Sequence, residues 1–225
     1  MGLARSAALI AALLLLTGTA ARADVIQVAD DASGWYGEGL VNGTAATGNA
    51  YLGTLHGNEF RDWFAFNLSS VTNPIVSATF NVDPGGWLAL ATTANVALHE
   101  ITTDPTTLGL AYDPTVFNEL ATGTTLGSYL FHESDTGSVT SITLDATAIA
   151  DRNAARLAAT PYALGVQETN LSFLSAYEAI MYQNPNAYTL TLTTQATPEP
   201  STLFLAGMGL LGVGLAALRK KSEKA

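Results

Sequence analysis

The chain has no cysteine among its 225 residues. This absence excludes disulfide bonds and excludes the attachment of a lipid through a thiol. A domain of this kind has to be stabilised by packing alone. The segment 24–197 has 174 residues, which is enough for one domain with a substantial core.

Basic residues are also scarce in that segment. It has no lysine and only three arginines against 17 acidic residues, which leaves a formal charge of −14. A surface of this sign repels nucleic acid and anionic lipid headgroups, so neither is expected as a partner. The acidity fits either solubility alone or loose binding of calcium.

The acidic residues nearest the N-terminus are the obvious pool for such a calcium ion. They are Asp24, Asp30, Asp31 and Glu38, and their spacing is not that of an EF-hand. We therefore expect no metal site and no cofactor, with structural calcium as the alternative.

The N-terminal residues have the pattern of a signal peptide. Arg5 supplies a positive charge, residues 7–16 are apolar, and Ala21 and Ala23 are the small residues that signal peptidase reads. The pattern predicts a signal peptide over residues 1–23, with cleavage before Asp24. An uncleaved membrane anchor is the alternative.

The C-terminal residues combine three features in a fixed order. Pro198, Glu199 and Pro200 disfavour a helix and hold the chain extended. Residues 201–218 lack charge and would reach about 27 Å as a helix, enough to span a membrane. The basic cluster Arg219, Lys220 and Lys221 follows and is expected to stay cytoplasmic, which places the domain outside.

Residues 24–197 predict a mainly β fold. Val76, Ala78, Phe80 and Val82 alternate with polar residues, as expected for a strand with one buried face. Residues 60–68 are apolar on both faces and predict a central strand. Further strands are predicted at 25–28, 50–55, 95–101, 128–131, 139–144, 162–167 and 188–193. We expect an antiparallel two-sheet sandwich of the jelly-roll kind.

One helix is predicted within this fold. Asp145 is a suitable N-cap, and Pro161 ends the segment. The apolar stripe predicted to face the core consists of Ile149, Ala150, Ala154 and Leu157, opposite Asp151, Arg152 and Arg156.

The C-terminal triplet, apolar run and basic cluster closely resemble the PEP-CTERM sorting signal of Gram-negative bacteria, in segment 198–225. This resemblance implies recognition by an exosortase, a membrane-embedded cysteine protease that cuts near the triplet. It also implies export through the inner membrane, a transient tail anchor, and delivery to the cell surface or the exopolysaccharide matrix.

The body resembles secreted jelly-roll modules of the carbohydrate-binding type. The resemblance rests on the segments EFRDWFAFNLSSV, IVSATFNV and NVALHEITTDPTTL, with Asn67 in place of the usual aspartate. It implies no catalytic residues. Independently, the three histidines are scattered and no nucleophile elbow is present, so we expect no enzymatic activity. A polysaccharide hydrolase using two distant carboxylates is the alternative.

Exposed aromatic rings are the residues that stack on sugars. Trp35 and Tyr36 lie in the Gly-rich stretch SGWYGEG, which is not expected to be a core strand, and Trp87 follows a turn. They are the candidate glycan contacts, and hydrophobic caps on the sandwich are the alternative. Trp63 is predicted to be core, and Arg61 to form a structural ion pair.

Together these patterns predict an exported, non-enzymatic surface protein with a structural or adhesive role in exopolysaccharide. The expected partners are signal peptidase, an exosortase and the inner membrane, with exopolysaccharide as a further candidate. A glycan-binding module is the first alternative.

Overall fold

The computed structural model describes residues 23–38, 40–44, 50–55, 57–89, 92–171, 177–180 and 188–196, together with Gly207, Gly209 and Gly212. Val25–Thr194 forms one compact unit. Met1–Asp24 and Gln195–Ala225 are assigned to a second unit.

The described residues form 13 strands and two α-helices. The strands are β1 (Val25–Ala29), β2 (Ala32–Gly37), β3 (Leu40–Thr44), β4 (Leu52–Leu55), β5 (Asn58–Phe66), β6 (Ile75–Val82), β7 (Trp87–Ala89), β8 (Thr93–Glu100), β9 (Thr125–His132), β10 (Thr140–Thr143), β11 (Tyr162–Glu168), β12 (Tyr177–Ile180) and β13 (Thr189–Thr194). The helices are α1 (Pro114–Thr122) and α2 (Ala146–Ala158).

The strands form two antiparallel sheets. The four-stranded sheet has the order β1-β13-β6-β10, and the nine-stranded sheet has the order β7-β12-β4-β5-β11-β8-β9, with β2 on β5 and β3 on β2. Buried side chains of both sheets belong to one hydrophobic cluster, in which the rings of Phe64 and Phe80 lie 5.2 Å apart. The mainly β, two-sheet prediction is confirmed, and the arrangement supports a β-sandwich. The jelly-roll order stays a prediction.

Strand β5 is buried on both faces, as its sequence predicts. Phe64 and Phe66 belong to the main core between the sheets. Trp63 and Ala65 belong to a second cluster, which the nine-stranded sheet forms with α1. Trp63 is 1 % exposed, so its assignment to the core is confirmed.

The prediction of a single helix was wrong, because α1 is a second one. Asp113 caps it by accepting a hydrogen bond from the Thr115 N–H at 2.7 Å, and Pro114 occupies the first turn. Val116, Phe117 and Leu120 form its buried face. The Asp-Pro pair followed by this apolar spacing is a helix signal that our interpretation of the sequence did not use.

Helix α2 lies where the sequence predicts it, with the Asp145 carboxylate accepting from the Ala148 N–H at 2.9 Å. Its predicted buried face was largely wrong, because Ile149 is the one member of the predicted stripe that packs against the core. Leu157 is 75 % exposed, whereas Arg152 is 0 % exposed. The guanidinium of Arg152 stacks over the Tyr162 ring and its Nη1 donates to the Ala148 carbonyl, and these contacts offset part of the loss of hydration.

Four strands, β2, β3, β7 and β12, were not predicted. The Gly-rich stretch that holds Trp35 is β2, which pairs with both β3 and β5. Gly37 allows the two strands to pack closely, because a Cβ at this position would lie 2.6 Å from the Phe60 ring. The expectation that this stretch lies outside the core was therefore wrong.

Candidate functional site

The two ends of the β domain lie side by side. Val25, the first residue of β1, pairs with Thr193 near the end of β13 in an antiparallel ladder. The predicted signal-peptide cleavage after Ala23 would therefore leave only Asp24 before the first paired residue. The chain enters and leaves the domain at the same end of the four-stranded sheet.

Strand β13, which directly precedes the C-terminal segment, is part of the domain core. It lies between β1 and β6, and its side chains Leu190, Leu192 and Thr194 are buried. Gln195 follows immediately and is exposed. The residues that lead into the C-terminal segment are thus part of the folded domain.

Most of the predicted sorting residues lie outside the described residues. This applies to Ala21, to the triplet Pro198, Glu199 and Pro200, and to the basic cluster Arg219, Lys220 and Lys221. It also applies to the predicted span at 201–218, except for three glycines that are helical. Ala23 is described and exposed. No helix in the described part of the chain is both long and apolar enough to cross a membrane.

The three candidate glycan contacts have different environments. Tyr36 is 1 % exposed and its hydroxyl accepts from the Gly109 N–H, so this ring does not offer a free face to a sugar. Trp35, its neighbour on β2, points to the opposite face of the sheet. There Trp35 is half-buried and packs on Phe60, with ring centroids 5.1 Å apart.

Trp87 is also half-buried, and it packs against the main core. These positions fit the hydrophobic-cap alternative for Trp35 and Trp87. Glycan contact by the two tryptophans stays a prediction.

Arg61 forms the ion pair that the sequence predicts, with Glu59 as its partner. Nε and Nη2 donate to the two Glu59 carboxylate oxygens at 2.7 and 2.9 Å. Nη1 donates to the Phe117 carbonyl at 2.6 Å, and the guanidinium lies 4.0 Å from the centre of the Phe117 ring. Arg61 thus fastens α1 to β5, which is a structural role.

Asp62 is a buried carboxylate that the sequence did not reveal. It is 0 % exposed, and its Oδ1 accepts from the Tyr51 N–H at 2.8 Å. Its Oδ2 has no hydrogen-bond partner among the described residues. Burial raises the pKa of Asp62 well above its ordinary value. Burial and the nearby Asp62 also raise the pKa of Tyr188.

The buried Arg152 and Tyr162 form a second polar site, at the base of α2. The guanidinium lies 4.1 Å from the ring centre. Burial lowers the pKa of Arg152 and raises the pKa of Tyr162 to about 12. Sequence reasoning placed Arg152 on the solvent face, because a charged residue in a helix is usually exposed.

An open cleft of about 570 Å³ lies beside α1. Its floor includes Glu119, whose carboxylate accepts from the N–H and hydroxyl groups of both Thr102 and Thr103. Burial alone would raise the pKa of Glu119, but these hydrogen bonds hold it below its ordinary value. The carboxylate is therefore engaged in holding the 102–103 loop on α1.

Within the described residues no group of three or more histidine, aspartate or glutamate side chains is placed to hold a metal ion. In the predicted calcium pool, Asp24, Asp31 and Glu38 are exposed and Asp30 is half-buried. Burial raises the pKa of Asp30.

The comparisons with known proteins concern the C-terminal end of the chain. No curated protein matches the sequence. A family model, the PEP-CTERM protein-sorting motif, matches residues 196–221. The match includes the triplet and the apolar run, and it begins two residues after β13 ends. The chain therefore carries a PEP-CTERM protein-sorting motif behind a mainly β-sheet domain, which supports an exported surface protein sorted by an exosortase.

Proposed function

We propose that this protein is a structural or adhesive component of the extracellular polysaccharide layer. Signal peptidase removes residues 1–23, and the segment 201–218 then holds the protein briefly in the inner membrane. An exosortase processes it near Pro198, Glu199 and Pro200, after which it is released into the matrix or attached to the cell surface. The observation that carries this proposal is the sorting motif at residues 196–221.

The arrangement of the domain ends supports this route. Three residues, 195–197, separate Thr194, the end of β13, from Pro198, so Pro198 is four Cα–Cα steps beyond the strand. Even a fully extended chain of this length spans only about 14 Å. The folded domain is therefore tethered close to the triplet, and the exosortase has to act beside it.

The proposed role does not involve catalysis. Arg61, Arg152 and Glu119 make contacts that hold α1, α2 and the 102–103 loop in place. Each of these three charged groups therefore has a structural role. A polysaccharide hydrolase is the competing function, and an assay for release of reducing ends from the host's own exopolysaccharide would detect it.

A comparison of two strains tests the sorting proposal. The full chain is expressed in its host and in an otherwise identical strain without the exosortase, and membrane, surface and medium fractions are quantified. We expect the mature protein at the surface or in the medium of the host and in the membrane of the other strain. N-terminal sequencing should give Asp24 first in both strains. An identical distribution in the two strains would contradict the proposal.

A further inference from the structure

The centre of the outer surface of the four-stranded sheet is built from uncharged polar side chains, while the exposed Val25 and Val76 lie toward one end of it. Antiparallel partners share a face, so Gln27, Thr191, Thr79 and Thr143 form one row across β1, β13, β6 and β10. Their chain neighbours, such as Leu190 and Phe80, point to the core. We call this surface, centred on the Gln27–Thr143 row, the hydroxyl face.

The hydroxyl face differs in charge from the rest of the domain. None of its four strands contains an ionisable residue, as their sequences VIQVA, TLTLTT, IVSATFNV and TSIT indicate. The domain as a whole has 17 acidic residues. Gln27 and Thr143 are exposed, and Thr79 and Thr191 are half-buried. The face is therefore accessible to a partner that does not require charge.

Asn81 organises the hydroxyl groups of this face. Its Nδ2 donates to Thr191 Oγ1 at 2.7 Å and to Thr189 Oγ1 at 3.2 Å, and its Oδ1 accepts from the Ser141 hydroxyl at 2.8 Å. Because both threonine oxygens accept from Asn81, their own hydrogens remain to donate to another group. The strands thus present hydroxyl donors in a fixed array, with neighbours about 4.8 Å apart across the strands and about 7 Å apart along them.

The composition of the face selects the class of partner. Nucleic acid and anionic lipid require cations, and the face has none. An apolar protein partner would leave its buried hydroxyl groups without hydrogen bonds, which is unfavourable. A polymer rich in hydroxyl groups can form hydrogen bonds with the face that replace the hydrogen bonds that each of them makes with water. No charged group loses its hydration in this exchange. An anionic polymer is disfavoured by the domain charge of −14.

We propose that the hydroxyl face binds neutral polysaccharide. This inference rests on the proposed function, because it supplies the contact through which the protein is held in a polysaccharide matrix. It assigns that contact to Gln27, Thr79, Thr143 and Thr191 instead of the half-buried Trp35 and Trp87.

Affinity electrophoresis of the full chain in a nonionic detergent tests the inference. The gels contain hydroxyethylcellulose, which is neutral, or carboxymethylcellulose, which has the same backbone with added charge. The test variant is Thr143→Glu. The matched control is Thr147→Glu, which adds the same charge at an exposed threonine on α2, outside the four strands of the face. Thermal unfolding confirms that both variants fold. If Thr143→Glu fails to fold, the isosteric Gln27→Glu replaces it.

We expect hydroxyethylcellulose to retard the wild-type protein and Thr147→Glu equally. Thr143→Glu should lose at least about fivefold in affinity, because complex formation would bury an unpaired carboxylate. Carboxymethylcellulose should retard the wild-type protein less. The inference is overturned by equal binding of both glutamate variants, by no retardation of the wild type, or by stronger retardation in carboxymethylcellulose.

Sedimentation of the same samples tests the other occupant of such a face, a second copy of the chain. A wild-type dimer that Thr143→Glu dissociates would overturn polysaccharide binding in favour of self-association. The sorting proposal is judged separately by the two-strain comparison. Normal release without polymer binding would refute only the hydroxyl face, and polymer binding without exosortase-dependent release would refute only the sorting route.

Discussion

Val25 pairs with Thr193, so the first and last strands of the β domain are neighbours in one sheet. This pairing brings the end of the predicted signal peptide and the start of the sorting motif to the same end of that sheet. In a domain built this way, the two segments that are predicted to be membrane-directed are attached to neighbouring strands. The fold is therefore compatible with processing of both segments at a single membrane.

Asp62 makes the stability of the domain depend on pH. Its folded-state pKa is raised by burial, so the folded state holds a proton that the unfolded state releases above about pH 4. The contribution of Asp62 to stability is therefore fully present below about pH 4 and is lost as pH rises toward the raised pKa. Asp62→Asn should be more stable than the wild type at pH 7, with a difference that shrinks toward pH 4.

Thermal unfolding from pH 4 to pH 8 measures this dependence. The control is Asp31→Asn, which removes an exposed carboxylate. Asp31 directly precedes β2, the strand that pairs with β5 and its Asp62. The unfolding temperature of this control should follow that of the wild type. Parallel pH profiles for Asp62→Asn and the wild type would contradict a raised pKa at Asp62.

Arg152 and Arg156 lie one turn apart on α2, but we expect them to contribute differently to the free energy of unfolding. Arg152 is buried over Tyr162, whereas Arg156 is bound mainly by one hydrogen bond from its Nη1 to the Thr72 carbonyl at 2.8 Å. Arg152→Ala should lower the free energy of unfolding by about 3 kcal/mol or more, through lost packing on Tyr162 and the loss of a positive charge near the half-buried Asp151. Arg156→Ala should lower it by about 1 kcal/mol.

Urea unfolding of the two variants decides whether Arg152 belongs to the core. Arg152→Met, which keeps most of the volume, should recover part of the loss. Equal effects at positions 152 and 156 would mean that the guanidinium of Arg152 contributes no more than a surface charge.

Gly165 sets the distance between α1 and the sheet. A Cβ at this position would lie 2.9 Å from the Leu120 Cα, so Gly165→Ala has to displace the helix backbone. We expect a loss of about 1–3 kcal/mol and a changed fluorescence of Trp63, which packs in the same cluster. Gly137→Ala is the comparison, because its φ of 76° disfavours alanine but nothing lies within 4 Å of the new Cβ. It should cost about 1 kcal/mol without changing the Trp63 signal.

The strands with regular alternation were predictable from the sequence. The alternation in β6 and β13 marks one buried face, and the continuous apolar run in β5 marks two. Asp145 and Pro161 likewise mark the limits of α2. These features are local, because each depends on residues close together in the chain.

The predictions that failed concern residues whose structure depends on partners far away in the chain. The stretch around Trp35 becomes β2 because β5 supplies the hydrogen bonds, and Arg152 is buried because Tyr162 supplies a ring. The uncharged hydroxyl face exists only once β1, β13, β6 and β10 are neighbours. No local pattern contains that order of strands. The sorting motif was recognisable because it is a continuous segment.

Release of a triplet variant tests the central claim most directly. Pro198, Glu199 and Pro200 are all replaced by alanine in the full chain, and membrane and medium fractions are followed over time in the native host. We expect normal removal of the signal peptide and retention of the variant in the membrane, while the wild type leaves it. Release of the alanine variant at the wild-type rate would contradict exosortase sorting through this motif.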